Sequence, residues 1–106
     1  MESKSDSFGR EKVIFVYEFF GTALFVYLIN MCQGNLFAVP MFLFILGIIA
    51  GPISGALFNP AVAIGKFLVD ADPRKEALTL VVYLAAQFSG GLMGFFMTYS
   101  SVFNIE

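Results

Sequence analysis

Apolar residues fall into three long runs, Val13–Met31, Leu36–Ile53 and Ala77–Tyr99, separated by short polar segments. Each run approaches the roughly 20 residues, within a range of about 17–25, that a helix needs to cross hydrocarbon. The pattern predicts an all-α membrane protein with three transmembrane helices. Asn30-Met31-Cys32-Gln33-Gly34-Asn35 is a short link rich in turn formers, so the first two helices are expected to form an antiparallel hairpin. A fourth, shorter apolar run follows Asn59-Pro60 and ends at Asp70-Ala71-Asp72-Pro73. The expected organisation is a polar N-terminus over 1–12, a helical unit over 13–99 and a short tail over 100–106. Within the unit the helices are placed at 13–31, 36–53 and 73–99, with a loop and half-helix over 54–69.

Composition agrees with a lipid setting. The chain is 58% apolar and 13% charged, against about 45–50% and about 25% for a soluble domain. Met1 to Lys12 lacks the apolar segment and small-residue cleavage site of a secretory signal, so no removable leader is expected. The net charge of -2 and the absence of an aromatic-interleaved basic patch speak against nucleic acid as a partner. With no His and one Cys, the chain has neither a metal-ligating cluster nor the makings of an internal disulfide. Cys32 reads as a small buried residue. No base, nucleophile or metal constellation supports catalysis, so no cofactor is expected and the reading is not that of an enzyme.

Gly47, Gly51 and Gly55 recur at intervals of four along the second helix, and Gly90 and Gly94 repeat the device on the third. Such small-xxx-small faces let another backbone approach closely, and helix packing is their expected role. Pro40 falls in the first turn of its helix, where proline is tolerated. Lys4, Arg10 and Lys12 precede the first helix and Lys66, Arg74 and Lys75 precede the third; the Asn30–Asn35 turn and the tail have no basic residue. All six share one side only if the segment between the second and third helices dips into the bilayer and returns. The N-terminus is then cytoplasmic, or on the matrix side of an organelle.

The dipping segment contains Ser54-Gly55-Ala56-Leu57-Phe58-Asn59-Pro60-Ala61-Val62. Proline pushes its predecessor out of the helical region, making Asn59 an N-cap and Pro60 the first helical residue. From there to Val69 an α-helix extends about 14 Å, near half of a hydrocarbon core of roughly 30 Å. Its start presents unsatisfied N–H groups and a positive dipole end. As N-cap, Asn59 spends its side-chain oxygen on its own helix and keeps its NH₂ group to donate. That suits water or a small polyol and disfavours a cation. Glu18, about five residues into the first helix, would cost about 2.5–3.5 kcal/mol facing lipid, so it is expected inside, bracing loop amides. Gln87 is read the same way.

Three motifs in order, Tyr17-Glu18-Phe19-Phe20-Gly21-Thr22, the Ser54–Val62 run with Gly65, and Tyr83-Leu84-Ala85-Ala86-Gln87-Phe88-Ser89-Gly90-Gly91, resemble the N-terminal half of aquaporins, the major intrinsic proteins. The resemblance covers Val13 to Tyr99. It implies three transmembrane helices plus one re-entrant half-helix, one half of an inverted repeat, and passive transport of water or small neutral solutes. It further implies that Asn59, with Pro60 and Ala61, faces the permeating file, that Glu18 and Gln87 hold the loop, and that Gly21 belongs to a helix-packing position.

The sequence departs from that family in three places. The histidine often found two residues before the asparagine is Leu57 here, which removes a polar group from the pore mouth. The second-helix constriction residue falls on Val39 by ungapped matching, with Phe37 or Phe42 available in another register. These 106 residues contain no second half, which in the family supplies the other half-helix and the constriction's arginine. An inverted pair of identical chains conflicts with the one-sided basic residues. The expected partners are therefore the lipid bilayer, a second half from another membrane polypeptide or a longer form of this chain, and water or a small neutral solute. The alternative is a non-conducting structural subunit of a larger membrane complex.

Overall fold

A computed structural model describes residues 4–33, 35–69 and 73–103. Those residues form four α-helices: α1 (Lys4–Met31), α2 (Ala38–Ser54), α3 (Pro60–Val69) and α4 (Pro73–Phe103). The fold is all-α. Segments of 23 and 28 residues, Gly9–Met31 in α1 and Glu76–Phe103 in α4, are long and apolar enough to cross a membrane. α2, with 17 residues, extends about 25 Å.

Both long helices outrun their apolar stretches. α1 starts nine residues before Val13 because Lys4–Lys12 holds no proline and only Gly9 as a weak helix former. α4 continues past Tyr99 to Phe103 because serine does not break a helix. The Ser101 and Tyr27 hydroxyls meet at 3.3 Å, tying this extension to α1.

Asn35 starts α2 by accepting the Phe37 and Ala38 amides on its side-chain oxygen at 3.0 and 2.9 Å. Pro52 lies in the last turn, where it deletes one intrahelical donor, and α2 ends two residues later at Ser54. Gly55 follows with φ 89°, a left-handed C-cap whose N–H donates to the Gly51 carbonyl at 2.9 Å. α3 starts at Pro60. The Asp70-Ala71-Asp72 stop and the Asp72 cap lie outside the described residues.

α1 and α4 pack in parallel. Glu11 meets Thr79, Glu18 meets Gln87 and Tyr27 meets Ser101, so residue numbers rise together along both helices. Gly90 and Gly94 make the contact close. A β-carbon on Gly90 would stand 2.4 Å from the Phe19 carbonyl oxygen, and one on Gly94 2.6 Å from that of Ala23. α2 packs antiparallel on α1, and α3 packs on α4.

Ser54, the last residue of α2, bonds to Glu18, the fifteenth of α1's 28 residues. α2 therefore stops at mid-bundle instead of passing that level before the chain turns back. From the same level α3 runs toward the Thr79 end, where Lys66 and Phe67 share a small cavity with Glu76 and Thr79. The turn is the short stretch Gly55–Asn59, one residue later than the start expected at Ser54. At about 3.5 Å per residue such a stretch spans only about 17 Å, too little to return from the far end.

Candidate functional site

The loop between α2 and α3 is built from left-handed residues. Gly55 has φ 89°, Ala56 51° and Phe58 50°. For alanine and phenylalanine this conformation costs about 1–2 kcal/mol each, so it needs outside support. Glu18 gives that support from α1, fully buried. Its Oε2 accepts the Ser54 hydroxyl at 2.6 Å and the Leu57 amide at 3.2 Å; its Oε1 accepts the Phe58 amide at 2.8 Å and the Gln87 side-chain amide at 3.0 Å. A carboxylate offers about four lone-pair sites and no donor, and all four are taken.

The neighbouring groups complete the brace. The Ser54 hydroxyl oxygen accepts the Ala56 amide at 3.2 Å, and the Tyr83 hydroxyl donates to the Ser54 carbonyl. Phe58 is buried with its ring over Gly21, where an added β-carbon would lie 2.1 Å from a ring carbon. Gly21 thus makes room for the loop. Gly55 caps α2, leaving Gly47 and Gly51 as the glycines within it, and an added β-carbon on either would meet no other element within 4 Å.

With the loop fixed, α3 opens at mid-bundle. Asn59 accepts the Ala61 amide on Oδ1 at 2.8 Å, and its backbone carbonyl accepts the Ala63 amide at 3.0 Å. Asn59 and Ala61 are exposed and Pro60 is half-buried, so the Nδ2 hydrogens of Asn59 remain available to an outside acceptor. Val39 is in the first turn of α2, about 22 Å along the helix from Ser54, and is not brought beside the triplet. Phe37 is exposed and Phe42 half-buried.

A second polar contact ties the basic end together. Glu11, only 6% exposed, accepts the Thr79 hydroxyl at 2.9 Å and has the Arg10 guanidinium at 3.7 Å. Glu11 Oε2, Thr22 Oγ1 and Gln87 Oε1 are buried without a hydrogen-bond partner among the described residues. Beside Thr79, a cavity of about 20 Å³ bounded by Leu57, Lys66, Glu76 and Tyr83 is large enough for one water. A larger, open apolar groove of about 300 Å³ runs along the α1–α2 contact, floored by Gly21 and Phe58. No group of three or more metal-binding side chains occurs among the described residues.

Sequence reasoning assigned no role to Ser54, Tyr83 or the Glu11–Thr79 pair. Tyr83 carried a usable signal. It precedes Gln87 by four residues and therefore shares its helix face, and a buried tyrosine hydroxyl normally finds a partner. No protein-family model, curated protein or solved structure matches the chain.

Proposed function

We propose that this chain is one half of an aquaporin-like membrane channel, passing water or small neutral solutes once a second half encloses the pore. The observation that carries the reading is the Glu18 carboxylate. It accepts two loop amides, the hydroxyl at the end of α2 and the Gln87 amide of α4, and so fixes the start of α3, with Asn59 open to solute, at mid-bundle. Loop backbone at membrane depth is tolerated only when buried in protein or lining a water-filled cavity. Glu18 and Tyr83 meet that condition on one side of the loop, and a lumen meets it on the other.

In this arrangement α1, α2 and α4 are the three membrane helices and α3 is the re-entrant half-helix. The parallel packing of α1 with α4 supports it, because both helices then begin on the same side. That side carries Arg10, Lys12 and Lys66 and is the cytoplasmic or matrix one. The dipole at the start of α3 repels cations, and the Asn59 N–H groups donate to the oxygens of water or a polyol. The second half comes from another polypeptide or from further residues of this one. The non-conducting structural subunit is favoured by a different observation: Leu57 places an apolar side chain beside Lys66, Glu76 and Thr79, where a conducting mouth profits from a polar one.

Purification in mild detergent with whatever accompanies the chain, followed by vesicle swelling, separates the two. Wild type is expected to swell above protein-free vesicles and Asn59→Asp to fall toward them. Equal, background-level permeability in both sinks the channel reading and leaves the structural one.

A further inference from the structure

We infer that Tyr83 is a positioning residue for the conducting site, holding the joint between α2 and the loop from α4 through the Ser54 carbonyl, while Glu18 holds the Ser54 hydroxyl and the loop amides from α1. The inference rests on the channel reading for its consequence but on separate contacts for its geometry. The last carbonyls of a helix have no intrahelical partner. At the end of α2 the Gly51 carbonyl is taken by the Gly55 amide and the Ser54 carbonyl by the Tyr83 hydroxyl. Ser54 is buried, so without Tyr83 its carbonyl faces protein interior unpaired.

Among the described residues no other hydrogen bond joins α2 to α4; the packed pairs are α1 with α4, α1 with α2, and α3 with α4. α2 is otherwise positioned through α1 alone. An open apolar groove of about 300 Å³ flanks the α1–α2 contact, so that contact is not filled along its length. Tyr83, itself buried, holds α2 at the one point where movement would be passed through Gly55 and Ala56 to Asn59. The Tyr83 hydroxyl also lies 3.6 Å from where a β-carbon of Gly55 would be, so it packs on the left-handed turn as well as bonding beside it.

The test is amide hydrogen exchange by NMR on the full chain in lipid nanodiscs. Tyr83→Phe keeps the ring and removes the donor. Exchange at Gly55 and Ala56 is expected to rise about tenfold, as loss of one buried hydrogen bond implies. Amides of α1 and of α4 beyond Gly90 are expected to stay protected. Unchanged exchange at Gly55 and Ala56 overturns the inference. If Tyr83→Phe does not fold, the wild type decides: a slowly exchanging Tyr83 hydroxyl proton supports the bond, and one exchanging freely with solvent refutes it. In swelling vesicles, Tyr83→Phe is expected to change the ratio of water to glycerol permeability, whereas a mere loss of folded protein lowers both together. An unchanged ratio with wild-type conduction overturns the positioning role. Wild type at background overturns the channel reading while the exchange result still judges the joint.

Discussion

Replacing Glu18 by glutamine keeps the side chain's size and removes half of what the loop depends on. The carboxylate accepts four donors, whereas glutamine offers one acceptor oxygen and an NH₂ group that cannot accept. With its oxygen kept toward Phe58 and Gln87, the NH₂ group faces Ser54 and Leu57. The Ser54 hydroxyl can rotate and accept, but the Leu57 amide cannot. Its unpaired burial costs about 1–3 kcal/mol, and each charge-assisted bond reduced to a neutral one loses about 1 kcal/mol more. Flipping the glutamine moves the same problem to Phe58. The expected loss in loop stability is about 3–5 kcal/mol, discounted for the non-additivity of groups in one network. Since 1.4 kcal/mol is a factor of ten, exchange at the Leu57 or Phe58 amide should accelerate by at least about two orders of magnitude. The α1–α4 interface around Gly94 should keep its protection, because its contacts run between Gly94 and the Ala23 carbonyl and Val26 side chain, about one to two turns away. Equal protection of both loop amides in Glu18→Gln and wild type would refute the claim that the carboxylate holds the loop.

Glycine positions divide sharply in their expected response. Gly90→Ala and Gly94→Ala drive a β-carbon against α1 carbonyls, backbone atoms that cannot turn aside, so each should destabilise by about 1–3 kcal/mol in denaturation from bicelles. Gly47→Ala and Gly51→Ala meet nothing within 4 Å and should stay within about 0.5 kcal/mol of wild type in the isolated chain, while weakening any assembly that seats a helix there. Gly55→Ala should cost about 1–2 kcal/mol through its φ of 89°, and Gly55→Asn less, because asparagine visits the left-handed region more readily; equal costs would count against this cause. Gly21→Ala should push the buried Phe58 ring out of place, and combining it with Phe58→Leu should recover part of the loss in a double-mutant cycle.

Local chemistry made some of this readable from sequence. Asn59-Pro60 marks the start of α3 because proline excludes its predecessor from the helix and itself suits the first turn. Glu18 reads as an interior group because a carboxylate has no comfortable place on an apolar helix face. Helix limits were harder to read, since hydropathy stops at Val13 and Tyr99 while nothing in the flanking residues breaks the helix. The stop of α2 at mid-bundle depends on tertiary contacts. Pro52 is tolerated in a final turn or an early loop alike, and only the bonds from Ser54 to Glu18 and Tyr83 decide between them. The glycine spacing was equally ambiguous: Gly47, Gly51 and Gly55 form one series, yet two face open space and the third is a left-handed cap.

The parallel packing of α1 and α4 constrains what lies between them. A chain that leaves the far end of α1 and must start α4 at the near end has to cross the bundle in between. Here α2 and α3 share that crossing, with a break at the level of Glu18. A continuous helix would satisfy its own backbone and need no interior carboxylate. The break takes the Leu57 and Phe58 amides out of a helix, where a bilayer core would leave them unsatisfied, and a buried acid is costly unless donors surround it. Each liability cancels the other, so loop and carboxylate stand or fall together. The break leaves outside that pair the capped first turn of α3, with Asn59 exposed. A packed bundle alone gains nothing from the strain at Ala56 and Phe58; under the channel proposal, that strain is what holds fixed donors at mid-depth for a solute.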